Sequence, residues 1–574
     1  MGIHRFFPYF KTRFASSIIN MKRDEKLSDF KVTVDNLAID MNGLIHNSAQ
    51  YVFKYGNNKP QARFLNGGNN IKPVPNTISR QKKVYEDVCK SVMDLIETVQ
   101  PQKKLILCVD GVAPLSKEMQ QRSRRFKSAK EQANTKQEFD NCAISPGTVF
   151  MDFLTKYLDW FIRKQLSENE KWRHLQVVFS NEKVHGEGEQ KIMSYARDHP
   201  SESYCLVGMD ADLIMIALGS HIKNFYILRE DNYQNSEYDF YLINIDDVRQ
   251  TLLDIMYWKN PNKRFSEKCA INDFVLMCFT TGNDFLPHIP SIEIMEGGID
   301  VLLDVYKNVG ESYGHLTRIV KEKVYIVKKA LEIYMGSIAQ YEKGLIEEKI
   351  NRPVDYFPDE ILNDCISFSP ESGKKIIDYE RYKKRYYEVN MYGKTIKEAC
   401  HNYLEGMMWV LQYYTTHVPS WKWHYTAYYA PFAGDLAHHL PSFKFAEYPS
   451  TQPHSMFQQL MSIIAPPSAK LLPYPLNTLL TDETSPIRHF YPLEFKIDLS
   501  GKRKEWEGKV ILPFINQEEF DRVYMTHISS VSEKDLKRNI PGRTFVYSYS
   551  VDTCYTFRSY YSDIENCHAK ITSI

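Results

Sequence analysis

Four short apolar runs, each ending at or just ahead of acidic residues, constrain the fold of this chain more than any other feature. Residues 33–40 (TVDNLAID) and 104–109 (KLILCV) run into Asp40 and Asp110. Residues 175–180 (LQVVFS) and 204–209 (YCLVGM) are followed by Glu187 and Glu189 in HGEGEQK and by Asp210 and Asp212 in GMDADLI. Short apolar runs bounded in this way read as strands buried on both faces, as in a parallel sheet. Between them, apolar residues recur at helical spacing: Val84, Val88, Val92, Leu95 and Val99, then Phe150, Phe153, Leu154, Tyr157, Leu158 and Phe161 after a Ser145-Pro146-Gly147 turn. Strand alternating with helix predicts an α/β domain, a mostly parallel twisted sheet flanked by helices.

In such a sheet the carboxyl ends of the strands form one rim, where ligands bind. Asp284, in TGNDFLPH, adds a further acid. A single Asp at a strand end is ordinarily a helix cap. Four acidic strand ends, two of them paired, go beyond that. Asp40, Asp110, Glu187, Glu189, Asp210, Asp212 and Asp284 on one rim would repel one another unless cations neutralise them. Oxygen ligands without Cys or His select Mg²⁺ or Mn²⁺. Two such ions are the usual device for in-line attack on a phosphodiester.

The net charge of the 574 residues is only +1, from 72 Lys+Arg and 71 Asp+Glu. The placement is uneven. Residues 1–136 hold 24 basic and 12 acidic residues, a balance of +12, and the remainder balances at −11. A basic part suits a polyanionic partner. Its densest segment is 117–136, with seven basic and two acidic residues. On a helix Lys117, Gln121, Arg124 and Arg125 fall on one face, a set of donors suited to a phosphate. An isolated run of this kind is more often a solvated face; its position just after Asp110 favours the pocket.

Other classes are excluded. A 13% aromatic share rules out general disorder. Ten scattered cysteines without a C-x-x-C pair fit neither a structural zinc site nor a disulfide framework, and predict a reducing compartment. No apolar run reaches membrane-span length, and the opening MGIHRFF lacks a signal-peptide core, so a cytoplasmic protein is expected. Along the chain we expect an α/β core over 1–300, a helical connector over 301–380, a second region over 381–525 that completes the site, and a tail over 526–574. Residues 466–475 (PPSAKLLPYP) read as extended.

The motifs taken together resemble the XRN-type 5′→3′ exoribonuclease family. MGIHRFF, LAIDMNGLIHNSA, VDGVAPLSKEMQQRSRRFKSAK, ISPGTVFM, HGEGEQKIM, GMDADLIM and GNDFLPH stand in the family's order, followed by GMMWVLQYYTTHVPSWKWHYTAYYAPFAGDL, PPSAKLLP and FYPLEFKIDLSGKRKEWEGKVILPFI. The resemblance implies a PIN-like, flap-endonuclease-like nuclease core without the long C-terminal domains of the large cytoplasmic members. It implies metal-dependent hydrolysis of single-stranded RNA with a 5′ monophosphate to 5′-mononucleotides, with a role in decay of decapped mRNA. It makes the seven acids the metal ligands and Lys117, Gln121, Arg124 and Arg125 the 5′-phosphate pocket. It puts the first base against His46 and a tryptophan, assigned as Trp409, with Trp421 and Trp423 as competitors. A monomer with no membrane contact is expected. A flap-type endonuclease on DNA and a catalytically dead RNA-binding scaffold are the alternatives.

Overall fold

The computed structural model describes residues 5–55, 77–132, 138–231, 237–260 and 264–574, with Thr77 and Ile78 as backbone only. Residues 1–4 of the opening motif and Lys136 of the basic segment lie outside the described residues.

Seven strands in the first half of the chain build most of one central sheet: β1 (Ile18–Met21), β2 (Asn36–Asp40), β3 (Lys104–Cys108), β4 (Gln176–Ser180), β5 (Tyr204–Val207), β6 (Phe225–Glu230) and β7 (Phe240–Asn244). Two more, Phe545–Tyr549 and Ala569–Ser573, come from the end of the sequence. The order is β1-β7-β6-β5-β2-β3-β4, then 545–549 and 569–573. The five central strands are parallel, with Ala38 level with Ile106 on one side and Leu206 on the other. Both margins are antiparallel.

Strand side chains alternate between faces. Leu37, Ile39, Leu105, Leu107, Val177 and Phe179 pack with the helices Thr77–Val99 and Val149–Glu168. Ala38, Ile106, Val178 and Leu206 face the other way, into a core that contains the helices Gly188–Asp198, Asp212–Ser220, Glu267–Cys278 and Ile396–Thr415. Burial on both faces explains the unbroken apolar runs. The helix Val149–Glu168 starts where the turn signal put it, with the Thr148 side chain accepting from the Met151 amide at 3.3 Å.

Three segments differ from expectation. The stretch 301–380 is not purely helical: hairpins at 317–326 and 366–377 separate its helices, because alternating Thr317, Ile319, Val324 and Ile326 favour strand pairing over helix. Residues 466–475 are not extended; Pro466–Leu471 form a 3₁₀ turn that starts on its prolines and packs Ala469 and Leu472 into a side core. Residues 526–574 are no detached tail, since they supply the last two strands of the sheet.

Candidate active site

Asp40 ends β2 and is at the same time the N-cap of the helix Met41–Phe53, accepting from the Asn42 amide at 3.4 Å. The cap reading and the rim reading therefore hold for one residue. Asp110 follows β3 and is fixed by three hydrogen bonds to two neighbours, Gly188 and Asn42. Its carboxylate accepts from the Gly188 amide at 2.6 Å and from Asn42 Nδ2 at 2.7 Å, and its own amide donates to Asn42 Oδ1 at 3.1 Å. A Cβ at Gly188 would stand 2.6 Å from Asp40 Oδ1 and 3.4 Å from Asp110 Oδ1, so any larger residue there would displace the Asp40 carboxylate. Glu187 caps the helix Gly188–Asp198 and Glu189 lies in its first turn, where the helix dipole favours negative charge.

Asp40, Asp110, Glu187, Glu189 and Asp210 line one cavity of about 370 Å³, together with His46, Lys117, Gln121, Arg124 and Arg125. Asp212 and Asp284 are not on its wall. Asp212 is buried, and one oxygen each of Glu189, Asp210 and Asp212 fall within 4.8 Å of one another. Asp284 joins the group through Lys117, whose ammonium lies 2.9 Å from Asp284 and 2.5 Å from Glu187.

The electrostatics follow from this crowding. Burial, then Asp110 and Asp210, push the Asp40 carboxyl well above its usual range; burial, then Asp212 and Glu187, do the same to Glu189. Asp212 rises to about 7 through burial and the charges of Asp284 and Asp210. Burial also raises Asp110 and Glu187, against the Lys117 charge. Asp210 is the exception: burial would raise it, but positive charge that includes Lys117 and Arg124 holds it at about 2. Burial alone would lower the Lys117 ammonium; Asp284 and Glu187 outweigh it and keep the lysine charged.

These residues fit a divalent cation. The donors are all carboxylate oxygens, Asp212 Oδ1 is buried with no hydrogen-bond partner among the described residues, and the space beside Asp40 and Asp110 is left open by a glycine.

The helix Leu115–Glu131 faces the cavity with Lys117, Gln121, Arg124 and Arg125 and anchors through its other side. There Arg122 is buried, donating to the carbonyls of Ser462, at 2.9 Å, and Phe490. Gln121 Oε1 and Arg125 Nη1 have no hydrogen-bond partner among the described residues. Half-buried His46 lines the same cavity. Burial, with Arg124 and Arg125 nearby, lowers its pKa to about 4, so the imidazole is neutral.

Trp409 is not available for base stacking. It is fully buried, its Nε1 donates to the Ser420 carbonyl at 2.9 Å, and Tyr413 and Trp423 stack on it at 4.9 and 5.2 Å. Trp423 is buried as well. Trp421 alone of the three keeps part of its ring open, 6.0 Å from His185, and its carbonyl accepts from Leu115 at the start of the basic helix.

Four contributors were not foreseen. Asn42 clamps Asp110. Lys191 donates to the carbonyls of Val109 and Asn181, both at 2.7 Å, tying together the ends of β3 and β4. Tyr413 donates to Glu187, and Tyr414 donates to Asp212 at 3.4 Å. All four sit inside motifs already singled out, but the two tyrosines lie in an apolar stretch that gives no sign of contact with the acids.

No helix among the described residues is long and apolar enough to cross a membrane. Residues 1–231 match the family described as XRN 5′-3′ exonuclease N-terminus, and 264–364 with 377–572 match the Xrn1 helical domain. The chain is similar to 5′-3′ exoribonuclease 1 of Saccharomyces cerevisiae, with 27% identity over 99% of this chain and 46% of that protein. It is 29% identical to human 5′-3′ exoribonuclease 1, over 99% of this chain and 37% of that one. With a 5′-3′ exoribonuclease 2 homolog of Drosophila melanogaster it shares 28% identity over 95% of this chain and 73% of the other. It thus spans less than half of the yeast and human relatives. Among solved structures, the catalytic core of Rad2 in complex with DNA aligns with a TM-score of 0.29 at 11% identity, covering 67% of this chain and 94% of that one. That likeness is too weak to bear on fold or substrate.

Proposed function

The chain belongs to the XRN 5′-3′ exonuclease family, and on that premise we propose that it hydrolyses single-stranded RNA carrying a 5′ monophosphate, one nucleotide at a time, to 5′-mononucleotides. One observation carries the reading: carboxylates and a face of phosphate-type donors line the same cavity. Two ions of Mg²⁺ or Mn²⁺ would be held by Asp40, Asp110, Glu187, Glu189, Asp210, Asp212 and Asp284. When bound, such ions supply the Lewis acidity for attack of water on a phosphodiester and for departure of the 3′ oxygen.

The protein's own residues do the positioning. Gln121, Arg124 and Arg125 take the terminal phosphate, for which bidentate arginines are well shaped. Lys117 stands between that set and the acids and holds Glu187 and Asp284 in place. A fixed distance from phosphate donors to carboxylates sets the cut at the first phosphodiester. Neutral His46 offers a ring to the first base, and Trp421 replaces Trp409 as the partner ring; stacking of this kind tolerates any base. A pocket matched to one terminal phosphate would exclude a cap or triphosphate, which makes decapped mRNA the proposed substrate in decay. Ten free cysteines support residence in the reducing cytoplasm.

The decisive experiment compares RNAs that differ only at the 5′ end: monophosphate, triphosphate, cap and hydroxyl. Mononucleotides released from the monophosphate form alone support the reading. Oligonucleotide fragments would mean an endonuclease, and no Mg²⁺-dependent product would mean a binding scaffold.

A further inference from the structure

Two neighbouring cavities of about 310 and 100 Å³ lie on the far side of the Asp284 loop and share His288, Glu293, Lys502 and Lys509 as lining. The larger is also lined by Gly282 and Asn283, directly before Asp284.

The charges here do not close. Of the cations lining the two cavities, Arg5 is paired with Glu507, Lys349 with Glu293, and Arg503 with Glu296. The remaining acids are engaged: Asp498 accepts from Tyr429 and from Ser500, and Asp359 caps a helix through the Leu362 amide at 3.0 Å. Lys502 and Lys509 have no carboxylate within ion-pair distance among the described residues. Lys502 Nζ meets only the neutral His288 ring, 3.4 Å from Nε2, and Lys509 Nζ donates to the Tyr428 carbonyl. Burial, then the Lys502 charge, lower the Lys509 ammonium to about 7. A third donor faces the same deficit: Asn283 Oδ1 accepts the amides of Phe285 and Leu286, both at 2.8 Å, while the buried Asn283 Nδ2 has no partner among the described residues. A buried ammonium, a second lysine beside it that holds its proton only weakly, and an orphan amide line one cavity, and an anion there would satisfy all three.

The geometry points to a second phosphate-binding subsite, in which Lys502, Lys509 and Asn283 Nδ2 hold one phosphate group behind the Asp284 loop. Lysines supply point charge and the amide a directional donor, the combination that suits a tetrahedral oxyanion. The phosphate comes from a free phosphate, a released mononucleotide, or the backbone of bound RNA. The inference does not rest on the exoribonuclease reading.

Trace acetylation of the full chain in EDTA, with mass-spectrometric readout at Lys502 and Lys509 against an exposed lysine such as Lys384, tests it. Inorganic phosphate, 5′-AMP or an RNA oligonucleotide should each be compared with chloride at equal ionic strength. Occupancy should slow labelling of both lysines by about tenfold at saturation, as for any site closed by a bound ligand. Protection by phosphate and AMP assigns a small-molecule source; protection by RNA alone assigns a backbone phosphate; both support the subsite. Equal labelling in all four solutions overturns it. The protection should persist in Arg124→Ala with Arg125→Ala. If it vanishes there, the phosphate sits on the basic helix and the inference falls. Phosphate binding by calorimetry in that double variant, and its loss on adding Lys502→Met and Lys509→Met, is the second arm. Because these readouts need no turnover, their failure leaves the exoribonuclease reading intact.

Discussion

The hydroxyl of Tyr413, on the helix Ile396–Thr415, donates to the carboxylate of Glu187, on the loop after β4. Residues 226 apart in sequence thus share one hydrogen bond at the centre of the acidic rim. The bond favours the charged form of Glu187. Tyr413→Phe should therefore shift the acid limb of the pH–rate profile towards higher pH and raise the Mg²⁺ concentration needed for half-maximal rate. The expected loss is about 1.5–3 kcal/mol, as for a hydrogen bond to a charged group. An unchanged pH profile would leave Tyr413 a packing residue.

Asp210→Ala with Asp212→Ala removes two of the three clustered oxygens. Cleavage should become undetectable while RNA binding, measured by fluorescence anisotropy, stays within about threefold, since phosphate contacts dominate affinity. Retained cleavage would refute the metal assignment.

Arg124→Ala with Arg125→Ala should bring the rates on 5′-monophosphate and 5′-hydroxyl RNA to parity, seen in a competition assay with two labelled substrates. A surviving preference would move the pocket elsewhere.

The two tryptophans should separate stability from turnover. Trp409→Ala empties a fully buried site and should cost about 3–5 kcal/mol in urea unfolding. Trp421→Ala should leave unfolding nearly unchanged and weaken substrate engagement by about 1–3 kcal/mol, the range for one base stacked on an aromatic ring.

Metal-free protein should lose stability as pH rises. The Asp212 carboxyl moves from 3.8 in the unfolded chain to about 7 in the folded one, and Asp40 and Glu189 move in the same direction. Between those values the folded state holds more protons, so the slope of unfolding free energy with pH is negative. For Asp212 the penalty is absent below about pH 4 and sets in as pH rises towards and past about 7. Thermal melts in EDTA should show Tm falling across that window. Added Mg²⁺ should raise Tm more at pH 8 than at pH 5.5; a uniform gain would place the binding groups elsewhere.

The parallel core was legible because burial on both faces leaves unbroken apolar runs, and Asp40 and Asp110 stand where those runs stop. Asp210 and Asp212 likewise stand within a few residues of the end of β5, whereas Asp284 follows a helix and the basic face lies on the helix Leu115–Glu131, so neither is marked by a strand end. Trp409 misled, although Met408, Val410 and Leu411 around it already describe a core position, while Trp421 stands between Ser420 and Lys422. Tyr413 and Tyr414 gave no separate signal because residues 403–415 of their helix are buried nearly all round and leave no polar face against which to read them. The strand Phe545–Tyr549 was missed because its partner, β4, lies more than 360 residues earlier, and a marginal strand with polar alternation carries little signal alone.

That late strand also sets an order of events. The loop bearing Glu187 springs from β4, and one side of β4 stays bare until residues 545–549 arrive. At synthesis rates of about 5–20 residues per second, the first half of the chain waits tens of seconds on the ribosome with an unpaired strand beside its acidic rim. β4, and with it the segment that carries Glu187, is therefore fully paired only once the C-terminal strands have been made.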